Sequence, residues 1–166
     1  GDFSSPVEVP APQKDAHADW DAKGAPVGWS TWQQKSSNGT FTQDDTVNHS
    51  SHAGGAIRIS SVHNGSLIQS VAVEPGKSDL VRGGRRQAGE GTGFIWVRWQ
   101  HDGKFIESSS SDSMMAGTPN AAQDSWNQIE GIAMAPAGAS RMVVLLSAMR
   151  QPSIEDSICY DDIQVY

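Results

Sequence analysis

The chain has 166 residues, 37% of them hydrophobic and 19% charged, and a formal net charge of −7. A chain of that length fits one domain, 1–166, and buries about 70% of its unfolded surface, enough for a core without disulfides or structural zinc. The acidic balance excludes general nucleic-acid binding, which needs a basic footprint; no apolar run approaches the roughly 18 residues of a membrane span; and the single Cys159 excludes an internal disulfide.

Residues 4–28 carry Pro6, Pro10, Pro12 and Pro26 and read as an extended arm with loops. From there the apolar pattern has period two, broken by turns. "GGAIRISSV" sets Ile57 and Ile59 on one strand face and Arg58 on the other. "SLIQSVAVEPGK" turns Val71 and Val73 inward before a Pro-Gly turn, and "SDLVRGGRRQ" is a weaker strand. "TGFIWVRWQHDGKFIES" is the clearest hairpin, with Ile95, Val97 and Trp99 on one face, Phe94, Trp96 and Arg98 on the other, and Asp102-Gly103 as its turn. Residues 108–125 are small and polar and read as one long loop. "SWNQIEGIAMAPAGAS" turns Ile129 inward, with a one-residue slip expected after it, and "RMVVLLSAM" does the same with Met142, Val144 and Leu146.

The last strand, "ICYDDIQVY", poses a problem. Alternation puts Cys159, Asp161, Ile163 and Val165 on one face, read as the core face, so that Asp161 is buried. A buried carboxylate is ion-paired, hydrogen-bonded or bound to a metal. The turn spacing as a whole predicts an all-β fold, a two-sheet antiparallel β-sandwich of jelly-roll type.

Catalytic signatures are missing. There is no phosphate-cradling loop, no dinucleotide fingerprint and no G-x-S-x-G elbow. His49 and His52 stand three apart in a polar loop without a third ligand. Glu74, Glu107, Asp124 and Glu130 show no convergence that would make a glycosidase pair. Jelly-roll polysaccharide lyases need Tyr and His on neighbouring strands, but the two tyrosines, Tyr160 and Tyr166, both lie in the last strand. The expectation is a protein that is not an enzyme.

The ordered set "GDF", "GWSTW", "GGAIRI", "LIQSVAVEPGK", "FIWVRWQHDGK", "SWNQI" and "CYDDIQV" resembles the β-jelly-roll carbohydrate-binding modules of the galactose-binding-like superfold, nearest to families 4, 9, 16 and 22. The resemblance spans Gly1 to Tyr166. It implies non-catalytic binding of a polysaccharide or oligosaccharide, which would target a linked catalytic domain in the parent chain to its glycan. It also implies an extracellular location and a monomer. In such modules a structural Ca2+ pins the N-terminal segment to the last strand; carried over, its ligands are Asp2, the Gly55 carbonyl and Asp161. Two positions depart from the pattern: Ser4 stands where many relatives have Glu, and "HAGG" is a residue shorter than their approach to the early strand. Without the ion, Asp161 would cap amides of the N-terminal arm.

The glycan site is expected among the tryptophans and arginines. Trp32 matches an aromatic platform of family 4, and Trp96 lies on the non-core face beside Arg98. Gln69 and Arg141 align with polar cleft positions of relatives, although Gln69 shares its strand face with Val71. Trp99 and Trp29 are assigned to packing, Trp126 to core or site, and Trp20 to neither. Arg82, like Arg58, Arg98 and Arg141, alternates away from the core. If these arginines share a face, the ligand is an anionic glycan; otherwise it is a neutral one. The alternative is a structural jelly-roll domain of a larger extracellular protein, with no glycan site.

Overall fold

The computed structural model describes residues 28–50, 55–107, 112–116 and 122–166. Among the described residues eleven strands form two antiparallel sheets. The first sheet runs β1 (Ser30–Gln33), β4 (Asn64–Ala72), β10 (Arg141–Met149), β6 (Thr92–His101) and β7 (Lys104–Phe105), with β8 (Ser113–Ala116) also pairing β6. The second runs β2 (Thr40–Asp44), β3 (Ala56–Ser60), β11 (Ser157–Val165), β5 (Ser78–Ala88) and β9 (Trp126–Met134). Sheet neighbours such as β4–β10 and β3–β11 are far apart in sequence, the crossed connectivity of a jelly roll.

The core lies between the two sheets and follows the alternation. Ile95, Val97 and Trp99 of β6 stand opposite Leu146, Val144 and Met142 of β10, and all six are fully buried. Across from them sit Ile57 and Ile59 of β3, Val81 of β5, Ile129 of β9, and Ile158 and Tyr160 of β11. Each such side chain contributes about 1.5–3 kcal/mol of apolar burial. Tyr160 joins the sheets: from the second its single hydroxyl proton is shared across the core between the carbonyls of Ser147 (2.5 Å) and Phe94 (3.1 Å) in the first. Burial pushes its phenol well above the ordinary tyrosine range. Arg85 reinforces the link with a bond from Nη1 to the Gly93 carbonyl at 2.8 Å.

Three sequence expectations need correction. The last strand does not keep one parity. Its pairing with β5 shifts register between Asp161 and Gln164, and Asp162 takes φ 52°, so a β-bulge swaps the faces. Ile158 and Tyr160 fill the main core before the bulge, and Ile163 fills it afterwards. Cys159 instead joins a small satellite cluster with Val47 and Ala56, on the outer face of the second sheet, with Trp126 packed against it. The slip expected after Ile129 does not occur either. β9 pairs with β5 in continuous register, and Gly131 takes an inward place because a Cβ there would lie 2.9 Å from Met115. The expected loop at 108–125 contains a strand, β8, whose Met115 fills the core opposite Ile95. The Asp161 carboxylate is buried as expected, and the loop between β2 and β3 supplies one of its partners. It accepts the His49 amide at 2.8 Å and the Asp162 amide at 2.8 Å. The arm at 4–28, apart from its last residue, lies outside the described residues, as do Asp2, Trp20 and His52.

Candidate functional site

In an antiparallel pair, residues directly opposite each other point to the same face. The outer face of the first sheet can therefore be read off its register. One row runs Trp32, Ser66, Ser147, Phe94 and Ala116 across β1, β4, β10, β6 and β8. The next runs Ser30, Ile68, Leu145, Trp96 and Met114. The third holds Ser70, Val143 and Arg98; the fourth Ala72, Arg141, Gln100 and Phe105. Four residues singled out from the sequence, Trp32, Trp96, Arg98 and Arg141, thus share one face.

Trp32 and Trp96 are half-buried and stand three strands apart, a backbone separation of roughly 15 Å at ordinary strand spacings. Between them the floor is mixed and largely buried, Ser66 and Ser147 in one row and Ile68 and Leu145 in the next. Ser66 and Ser147 lie side by side with hydroxyl oxygens 2.9 Å apart. The strip is thus a low floor with an indole toward each side.

Arg98 lies 4.2 Å from the Phe105 ring centre and 5.2 Å from that of Trp96, and its Nε is 3.5 Å from an Asp112 oxygen. Arg141 donates from Nε to the Ser70 hydroxyl at 2.6 Å and from Nη2 to the Ser70 carbonyl at 3.0 Å. Three buried polar atoms in this corner have no hydrogen-bond partner: Arg98 Nε, Asp112 Oδ1 and Gln100 Oε1. Gln100 is only 5% exposed. A buried amide oxygen without a donor is destabilising in the free protein, and a ligand hydroxyl would reach it only by displacing the side chains that cover it. Neither Gln100 nor Asp112 stood out in the sequence. Gln100 was findable, because it shares strand parity with Trp96 and Arg98; Asp112 was hidden in a segment read as loop.

The remaining candidates lie elsewhere. Gln69 stands opposite the fully buried Val144, on the inner face of β4, and no bulge interrupts that ladder. Arg82 belongs to the second sheet, where Nε donates to Gln164 at 2.7 Å and Nη2 to the Tyr166 hydroxyl at 2.9 Å. Arg58 is also in the second sheet, ion-paired with Asp44 at 2.6 Å. Gly55 takes φ 69° at the start of β3, and its amide donates to the Asn48 side chain at 3.0 Å. Trp29 and Trp99 are buried in the core as expected. Trp126 packs behind His49, ring centres 5.2 Å apart, on the outer face of the second sheet.

No protein-family model matches the chain, and no curated protein does. Solved structures do. The enzymatically active domain of bacteriophage CBA120 tailspike protein 4 superposes with a TM-score of 0.66 at 13% identity, over 95% of this chain and 21% of that one. The chain therefore spans about a fifth of the tailspike's length. The C-terminal family 22 carbohydrate-binding module of Clostridium thermocellum Xyn10B gives 0.57 at 8% identity, over 93% of this chain and 96% of the module. A CBM4 structure gives 0.52 at 14% identity, over 82% and 84%. The chain resembles carbohydrate-binding modules of families 4 and 22 in fold. At these identities the likeness carries the β-sandwich and its topology, and the ligand has to be argued from the residues.

Proposed function

We propose that the domain is a non-catalytic carbohydrate-binding module that docks a neutral glycan chain along the outer face of the first sheet, between Trp32 and Trp96. The observation that supports this best is the convergence on one face of two indoles, a floor that mixes Ser66 and Ser147 with Ile68 and Leu145, and three buried polar atoms without partners. Flat apolar rings suit the C–H faces of sugars, and the orphaned atoms suit their hydroxyls. Neutrality follows from the arginines. Arg98 is ion-paired with Asp112, Arg141 is engaged by neutral Ser70, and Arg58 and Arg82 belong to the other sheet. Among the described residues, a uronate or sulfate would meet on this face Arg141 as the one arginine not paired with a carboxylate, and its guanidinium is already held by Ser70. Joined to a catalytic domain in a secreted parent chain, the module would raise that enzyme's effective concentration at its polysaccharide.

A structural calcium belongs to the same proposal. Each Asp161 oxygen accepts one amide and keeps a lone pair. Those lone pairs, the Gly55 carbonyl and Asp2 would hold the ion, which would add positive charge where the last strand meets the N-terminal segment. Among the described residues no group of three acidic, His or Cys side chains converges, so the site depends on Asp2 and on backbone oxygens. Chelation by EDTA is expected to lower Tm by several degrees, and calcium to restore it. An unchanged Tm would leave Asp161 held by amides alone.

Native affinity electrophoresis through gels containing neutral and anionic polysaccharides tests the binding reading. Retardation by a neutral polymer that persists at high salt supports it. Retardation by anionic polymers alone, fading with salt, would overturn the neutral assignment. No retardation by any polymer would return the domain to a structural role.

A further inference from the structure

The outer face of the second sheet carries a separate cleft of about 280 Å³. Its floor is backbone. Gly84 of β5 puts no side chain into it, and a Cβ there would lie 2.7 Å from the His49 ring, whereas a Cβ on Gly83 would point to Ile163 in the core. One wall is the loop between β2 and β3, where His49 is backed by Trp126. The other is formed by Arg82 and Gln164, which fix each other. The β-bulge of the last strand sets Asp162 at the rim. Its carboxylate is positioned by His49 Nδ1 at 2.9 Å and by the Ser50 hydroxyl at 3.0 Å.

These residues are held in place yet keep unused bonding capacity. Arg82 donates through Nε and Nη2, leaving Nη1; Gln164 accepts through Oε1, leaving its amide N–H groups. Gln128 is bonded to Glu130 through Nε2, leaving its carbonyl oxygen. Each Asp162 oxygen takes one donor and keeps a lone pair. The cleft thus offers fixed donors on one side and acceptors on the other, with Arg82 and Asp162 balancing in charge.

That balance selects the ligand class. An anion would face Asp162, and a divalent cation would face Arg82 with a single carboxylate in the lining. An apolar ligand would strand the polar walls. A neutral polyol both donates and accepts, and satisfies all of them. The volume lies just below the range of about 300–1,000 Å³ typical of drug-sized ligands, so it fits one or two sugar rings and not a long chain.

We propose that this cleft is a second saccharide site, which takes a neutral mono- or disaccharide unit or a chain end, on the sheet opposite the Trp32–Trp96 face. It does not depend on binding at that face. The test is amide chemical-shift mapping of the full chain with the methyl glycosides of xylose, glucose, galactose and mannose and their β-1,4-linked disaccharides. At least one is expected to move the amides of Gly83, Gly84 and Asp162, in the wild type and equally in the folded Trp32→Ala/Trp96→Ala variant. Gln164→Ala and Arg82→Ala, checked for folding by Tm, are expected to weaken that response about tenfold. The proposal is overturned if none of these saccharides moves those amides, if the response keeps full affinity in both variants, or if sulfate displaces the saccharide and so identifies an anion site.

Discussion

The two outer faces of this sandwich come from the same kind of alternating strand, yet they differ in how their polar groups are treated. On the outer face of the second sheet the polar side chains are bonded to one another: Arg58 to Asp44, Arg82 to Gln164 and Tyr166, and His49 to Asp162. On the first sheet large aromatic side chains flank serines, and Arg98 Nε, Asp112 Oδ1 and Gln100 Oε1 are buried without hydrogen bonds. The lesson is that a binding face is better recognised by its unmet bonding capacity than by its charge. Counting arginines alone pointed to both sheets at once.

The comparison can be broken most sharply at Trp96. Trp96→Ala is expected to weaken polymer binding by about 2 kcal/mol or more, roughly thirtyfold, with Tm little changed, as read by affinity electrophoresis and thermal melting. A variant that melts normally and is retarded like the wild type would remove the first face from the account. Tyr160→Phe strikes both faces together, because its hydroxyl bridges the sheets. Loss of both carbonyl partnerships is expected to destabilise the fold by about 1–3 kcal/mol in denaturant unfolding, and an unchanged midpoint would deny the bridge its role.

Gln100→Leu separates function from stability. Replacing an unpartnered buried amide by an apolar group of similar size is expected to leave stability unchanged or raise it by about 1 kcal/mol, while weakening glycan binding about fivefold. A large loss of stability would mean that Gln100 has a structural partner after all.

The smallest effect concerns pH and neither face. Bonding from the Glu90 amide, and then from the Ser153 hydroxyl, holds the Asp156 carboxyl below the usual value of 3.8. A depressed folded pKa gives stability that is present above about pH 4 and is lost as the pH falls through the folded value. Asp156→Asn is therefore expected to melt with a shallower fall in Tm below pH 4 than the wild type.

Much of this was legible along single strands. The inward sets Ile95–Val97–Trp99 and Met142–Val144–Leu146 followed from period two alone, as did the outward place of Trp96 and Arg98. What failed was non-local or hidden in backbone conformation. Nothing in "CYDDIQV" announces a left-handed Asp162, yet the bulge there goes with Cys159 and Asp161 on the outer face of the second sheet, both still buried, and Ile163 in the core. Which arginines share a sheet depends on strand order, and β10 pairs with β4 and β6 across long stretches of chain. That order put Arg141 beside Gln100 and sent Arg82 to the other side.

The most direct test of the central claim is to run Trp96→Ala and Arg82→Ala side by side, with wild type, through gels of the neutral polysaccharide that retards the wild type most. Trp96→Ala is expected to lose most of its retardation, and Arg82→Ala to be retarded like the wild type. Free migration of Arg82→Ala with full retardation of Trp96→Ala would put polymer binding on the second sheet and contradict it.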